Sequence, residues 1–250
     1  MAQKSSARPL AFSEAVNMLA RSGIPFSSTV FLEKADEISC LSAAEKLGFP
    51  VFLKVVSSPT KDVAIHKAKH GLVARVESAQ SFAASYKRLV AAHSKLASKK
   101  LVERKLALVI QKEASGLECI IGAKLDPSFG PVIMFGSGGI LAEELDDVVV
   151  RLCPVTAEEA SVMIKGTKFY GRLQNLKGGG IALQNLAAAI VKVSNLIMNH
   201  PEIPELDINP VFVAEDSGDV TAVDVRLVVL ESAAKKAEKK LELWKPFSDP

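Results

Sequence analysis

The sequence predicts an α+β fold built as two lobes. Three observations carry this prediction. Apolar stretches with strand character alternate with stretches of helical spacing, but without the regular strand–helix–strand repeat that winds a parallel sheet. The strands are short, apolar and β-branched, as sheet interiors require. The closing region, residues 205–230, reads as a hairpin folded about Asp216-Ser-Gly-Asp219. An N-terminal lobe is expected over residues 9–108, a C-terminal lobe over 109–231, and a charged helix or tail over 232–250.

The elements follow in order. Residues 13–21 have helical spacing and stop at Gly23 and Pro25; a second helix over 36–47 closes at Gly48-Phe-Pro50. Val51-Phe-Leu-Lys-Val-Val56 is a buried strand. Ser78 is placed to cap a helix whose Phe82, Tyr86, Leu89, His93 and Leu96 fall on one stripe. Leu106-Ala-Leu-Val-Ile-Gln111 is again a strand, two more flank Asp126-Pro-Ser-Phe-Gly130, and another runs over 148–152. Thr156 and Glu159 have the spacing of a capping box. Gly178-Gly-Gly180 separates that helix from one carrying Leu183, Leu186, Ile190, Val193 and Ile197. Residues 233–243 read as a lysine-rich terminal helix.

Composition excludes several classes. A chain of 250 residues that is 48% hydrophobic can bury a full core. A net charge of +3 with acids and bases interleaved marks no nucleic-acid surface, and 6% aromatics provide no stacking platform for single strands. Cys40, Cys119 and Cys153 are far apart within apolar runs, which reads as reduced thiols in a cytoplasmic protein rather than a disulfide or zinc framework. No apolar run approaches the ~20 residues of a membrane helix.

The residues that can do chemistry fall in five places. Gly136, Gly138 and Gly139 crowd the end of a strand, where glycine lets a backbone turn and approach a ligand. Amides opened this way bind anions, although a plain tight turn has the same composition. Lys54 lies mid-strand on the face of Phe52 and Val56, aimed at a bound anion or snorkelling at an edge. Glu118 shares a strand face with Lys124, while Gln111 ends the preceding strand and Glu113 follows it. A base can be read there by main-chain groups and a ribose by a carboxylate.

In Glu205-Leu-Asp-Ile-Asn-Pro210, strand parity puts Asp207 and Asn209 on one face. With a turn centred on Ser217-Gly218, Asp224 lies diagonal to Asn209 at ~7–8 Å. One cation with oxygen ligands can bridge that span, and magnesium takes one or two protein oxygens; a solvated polar face is the other reading. His66 is the histidine with a loop setting and a glycine nearby, and imidazole can accept a phosphoryl group.

Together these blocks resemble the ATP-grasp subunit of ADP-forming acyl-CoA synthetases, the acetate–CoA ligase family. They are Glu118-Cys-Ile-Ile-Gly122, residues 126–140, Arg151-Leu-Cys-Pro154, Glu205-Leu-Asp-Ile-Asn-Pro210 and Ala222-Val-Asp-Val-Arg226. The resemblance implies the ATP-grasp fold, two α+β lobes gripping ATP or ADP. It implies that Lys54 holds phosphates, Gln111 ends the strand facing the base, Glu118 contacts nucleotide, and Asn209 with Asp224 ligates Mg2+. The reaction implied joins acyl-CoA, ADP and phosphate to acid, CoA and ATP, with a phosphoryl group carried on histidine. His66 would take it at the ATP site and Asp207 would steady it. The partner implied is a CoA-binding alpha subunit with its own phosphorylatable histidine, in an α2β2 assembly.

The chain also departs from that pattern. His66-Lys-Ala-Lys-His-Gly-Leu-Val73 has Lys69 for an acid and Leu72 for a glycine; Lys112 stands where an acid follows the glutamine, and Asp146 replaces a lysine. Two other readings therefore accompany the synthetase: a non-catalytic ATP-binding regulatory module on the same fold, and an ATP-grasp carboxylate–amine ligase.

Overall fold

The computed structural model describes residues 7–33, 35–56, 71–102, 104–138 and 147–230. His66, Lys69, Gly139, Asp146 and the expected terminal helix lie outside the described residues. The described chain divides into two units: Ser27–Ala114, and the residues up to Phe26 together with those from Ser115 onward.

The Ser27–Ala114 unit is a four-stranded antiparallel sheet. β2 (Thr29–Leu32), β5 (Leu108–Lys112), β3 (Val51–Val55) and β4 (Val73–Val76) lie side by side in that order. Strand alternation turns Val51, Leu53, Val55, Leu108 and Ile110 to one face, where they are fully buried. They pack against Cys40, Ala44, Phe82 and Leu89 of α2 (Glu37–Leu47) and α3 (Ala79–Ser98). Asp36 caps α2 by accepting from the Ser39 N–H at 2.9 Å, and α3 begins after Ser78 as the sequence predicts. Leu72, which occupies a glycine position of the family pattern, is buried in this core.

The other unit holds a seven-stranded sheet. Its path is β1 (Ala7–Pro9), β11 (Arg226–Leu230), β9 (Glu205–Val213), β6 (Leu117–Asp126), β7 (Gly130–Ser137) and β8 (Val148–Leu152), with β10 (Val220–Ala222) also on β9. Every ladder is antiparallel. Helix α1 (Phe12–Arg21) contacts β11. One face of the sheet is covered by α4 (Ala157–Lys165), α5 (Phe169–Leu173) and α6 (Gly179–Asn199). Leu117, Cys119, Ile121, Ile133 and Phe135 are buried on that face, where Phe135 meets Phe169 edge-on at 5.7 Å. Thr156 and Glu159 form the predicted capping box, with bonds of 3.2 and 2.8 Å.

Three expectations are corrected here. The lobe boundaries differ: β1 pairs with β11, so the start of the chain belongs to the second unit, and a break after residue 108 would cut β5. That pairing joins segments some 220 residues apart, which no local pattern encodes. The glycine triplet does not separate elements, since α6 begins at Gly179. That helix is long and apolar enough to cross a membrane by length and composition, contrary to the sequence expectation. Its buried stripe of Leu186, Ile190, Val193 and Ile197, with contacts to β6, β7 and α4, makes it a core helix.

Candidate functional site

Each unit turns a chemically equipped face away from its helices. On the four-stranded sheet that face is ordered by register. Arg75, Phe52, Gln111 and Thr29 lie level across the four strands, and Val73, Lys54, Val109 and Phe31 form the next row. Lys54 is half-buried in the middle of this face. Gln111 is buried, and its amide donates to the Thr29 hydroxyl at 3.3 Å. Its side chain is thereby committed within the sheet, and the Lys112 and Glu113 N–H groups beyond it donate to the Ser28 and Pro50 carbonyls at 2.9 and 3.3 Å.

Glu113, two residues beyond Gln111, is held by a residue that sequence reasoning missed. Arg75 donates from Nε to Glu113 Oε1 at 2.7 Å and from Nη2 to Oε2 at 3.0 Å, while its Nη1 pairs with Glu77. The guanidinium holds the Glu113 carboxyl below the ordinary carboxylate range. Lys112 is also accounted for: its Nζ donates to the carbonyls of Gly48 and Phe49 at 2.7 and 3.1 Å, just past the end of α2. A cation there satisfies carbonyls that the helix leaves without partners.

On the seven-stranded sheet, Glu118, Gly122 and Lys124 of β6 stand opposite Phe212, Asp207 and Glu205 of β9. The β6–β9 register slips between Cys119 and Ile121, where one residue faces both Asn209 and Pro210. This bulge resets the alternation: Leu206 and Ile208 are buried before it, Val211 and Val213 after it. The Asn209–Pro210 peptide at its apex is cis.

The hairpin register differs from expectation by two residues, because the loop between Val213 and Val220 is centred on Asp216-Ser217, one residue before Ser217-Gly218. A two-residue shift keeps every side chain on its face. The pairs Ala222↔Val211 and Arg226↔Asp207 share one register, which sets Asp224 level with Asn209 rather than diagonal to it. The ladder is open at this level, and both residues are exposed. One Asp224 oxygen accepts from the Val225 N–H at 2.9 Å.

Asp207 is half-buried beside them. Burial raises its carboxyl above the ordinary aspartate value, the charges of Glu205 and Asp224 add to the rise, and Arg226 opposes it. Arg226 is itself bound to Glu205. The face thus gathers Glu205, Asp207 and Asp224 around Arg226, with Lys124 level with Glu205 and two hard oxygen donors at its edge. Among the described residues no three His, Cys, Asp or Glu side chains are grouped to hold a metal alone. Such a donor set suits magnesium, which completes its shell with phosphate and water.

Gly136 and Gly138 have a packing requirement of their own. A Cβ on Gly138 would lie 2.8 Å from both the Cys119 nitrogen and the Glu118 carbonyl carbon, and one on Gly136 would lie 2.5 Å from the Val148 side chain. Both are demanded by the protein's own packing. The Gly138 N–H donates to the Glu118 carbonyl at 3.0 Å, which fixes the backbone under that carboxylate. Asp147, also missed, is buried where it accepts from the Ser137 hydroxyl and from the Lys168 and Phe169 amides at 2.8 and 3.3 Å. It ties the end of β7 to the start of α5. Cys119 is raised by burial alone and Cys40 to about 11, so neither is a nucleophile.

A seven-stranded and a four-stranded antiparallel sheet, one presenting acids and the other a lysine, with helices packed on each, define the class as α+β. The ATP-grasp domain profile matches residues 1–229. The chain is 36% identical to the ADP-forming 4-hydroxybutyrate–CoA ligase of Nitrosopumilus maritimus, over 86% of this chain and 30% of that protein. It is 34% identical to the beta subunit of ADP-forming acetate–CoA ligase I of Pyrococcus furiosus, over 90% of this chain and 94% of that subunit. It therefore spans under a third of the first relative and nearly all of the second. Acetyl-CoA synthetase 1 of Ca. Korarchaeum cryptofilum superposes with a TM-score of 0.75 at 27% identity, over 89% of this chain and 93% of that one, in a complex with CoA and an AMPCP nucleotide analogue. A second structure of it, TM-score 0.69 at 27% identity over 88% and 92%, holds Mg-AMPPCP with its phosphohistidine segment pointing towards the nucleotide site. The chain belongs to the ATP-grasp family, among the beta subunits of ADP-forming acyl-CoA synthetases.

Proposed function

We propose that this chain is the nucleotide-binding subunit of an ADP-forming acyl-CoA synthetase. It binds ATP or ADP and exchanges a phosphoryl group with histidine, so that acyl-CoA, ADP and phosphate interconvert with acid, CoA and ATP. The observation that carries this reading is Asp224 level with Asn209, beside an Asp207 burdened by its acidic neighbours. The relatives' names, and the magnesium nucleotide in the Korarchaeum enzyme, support it.

Asn209 and Asp224 would hold magnesium, which neutralises phosphate charge when bound. Lys54 draws the phosphates by charge, the strand end at Gln111 meets the base through its backbone, and Glu113 accepts from the ribose hydroxyls. Glu118, fixed by Gly138, lines the nucleotide. His66 receives the phosphoryl group, and Asp207 accepts a hydrogen bond from the imidazole and steadies its charge. Such transfer depends on positioning and charge neutralisation more than on covalent help from the protein. The partner is a CoA-binding chain carrying a second phosphorylatable histidine, in an α2β2 complex. Buried thiols of raised pKa suit a cytoplasmic setting.

The test is reconstitution. With a CoA-binding alpha subunit of the family added, the chain should form acyl-CoA from acid, CoA and ATP with release of ADP, and His66→Ala should remove phosphohistidine from this subunit. ATP binding with no phosphoryl transfer in the mixed complex would instead establish a regulatory module.

A further inference from the structure

We propose that Arg75 is the positioning residue of the nucleotide site: it orients the Glu113 carboxylate towards the ribose hydroxyls and so sets the preference for ribonucleotides. This rests on the nucleotide reading above. Glu113 follows β5 with the parity of Val109 and Gln111, which places it on the Lys54 face. Lys54 is level with Val109, four residues from Glu113, or roughly 13 Å along an extended strand. A sugar held at one end and phosphates drawn by the lysine at the other fit that separation.

The fork geometry is the core of the inference. Nε and Nη2 of Arg75 take one Glu113 oxygen each, at 2.7 and 3.0 Å, which fixes the plane of the carboxylate. Each oxygen keeps an acceptor site, so the ionised group can still accept from hydroxyls and cannot donate to them. Glu77 takes the third nitrogen of Arg75, so the arginine is held from the far side and its charge is balanced between two acids. The Glu113 N–H donates to the Pro50 carbonyl at 3.3 Å, anchoring the backbone beneath the carboxylate. An ion pair this exposed adds little stability; what it supplies is orientation. A lysine at position 75 could not replace it, because a single ammonium does not fix a carboxylate plane.

Calorimetric titration of the full chain with Mg-ATP and Mg-2′,3′-dideoxy-ATP tests this. The wild type should favour ATP by about tenfold or more, the range of hydrogen bonds to a charged acceptor. Arg75→Met and Glu113→Gln should bring the ratio close to one while leaving dideoxy-ATP affinity nearly unchanged, which also reports that the variants are folded. Arg75→Lys should recover only part of the ratio. Equal wild-type affinity for the two nucleotides, or an undiminished ratio in Arg75→Met, overturns the role of Arg75 alone. A wild-type chain that binds neither nucleotide overturns the nucleotide reading with it.

Discussion

The two sheets treat charge in opposite ways on the faces their helices leave uncovered. On the four-stranded sheet the polar groups are matched: Gln111 with Thr29, Glu113 with Arg75, and Arg75 also with Glu77. On the seven-stranded sheet Glu205, Asp207 and Asp224 crowd together around Arg226, and burial makes the charge on Asp207 costly. The first arrangement holds a shape. The second holds Asp207 ionised at a cost, through burial first and its acidic neighbours next, which a bound cation would relieve.

That contrast can be broken by substitution. The largest effect should come from Asp207→Asn, which keeps the shape and removes the charge. Synthetase turnover with the partner subunit should fall by about 10²–10³-fold, the range for losing one group that meets developing charge. A turnover within a few-fold of wild type would remove Asp207 from the chemistry. Lys54→Met should come next, lowering kcat/KM for the nucleotide by about 10–100-fold, as for an ionic hydrogen bond of some 1.5–3 kcal/mol. An unchanged value would make Lys54 a snorkelling residue.

The structural substitutions should be smaller. Gly138→Ala drives a Cβ into the Cys119 and Glu118 backbones, neither of which can give way. It should cost about 3 kcal/mol in urea unfolding. Lys112→Met should cost about 1.5 kcal/mol, since two carbonyls past α2 lose their donor. The smallest effect sharpens the contrast most. The folded Asp207 carboxyl titrates above its ordinary value of 3.8, so its contribution favours folding below that pH and fades as pH rises through the raised value. Asp207→Asn should therefore melt slightly higher than wild type at pH 7, with the gain absent below pH 3.8. A lower Tm at neutral pH would show that the acid face is stabilising after all.

The sequence made the strands, caps and closing hairpin legible because their signals are local. Ser78, the Thr156–Glu159 box and the alternation in Val51–Val55 each declare themselves within a few residues. The strand faces of Lys54, Glu118 and Asp207 were legible for the same reason, since parity within a strand assigns a face. What escaped was long-range. The pairing of β1 with β11 moved the lobe boundary, and a loop centred on Asp216-Ser217 set Asp224 level with Asn209. The bulge at Asn209–Pro210 arises where two strands meet out of step. Arg75 and Asp147 act on partners far along the chain or on another element, and nothing beside them in sequence marks a role. The crowding of Gly136 and Gly138 is visible in the sequence, but the neighbours that a Cβ there would strike became visible only in the fold.

The most direct measurement is the magnesium dependence of ATP binding in the wild type and in the pair Asn209→Ala and Asp224→Ala, by calorimetry with magnesium and with EDTA. The wild type should bind ATP about tenfold or more tightly with the metal present, and both variants should lose that enhancement while keeping the metal-free affinity. An enhancement of the same size in both variants would contradict the assignment of these two oxygens to the cation, and with it the reading of the acidic face.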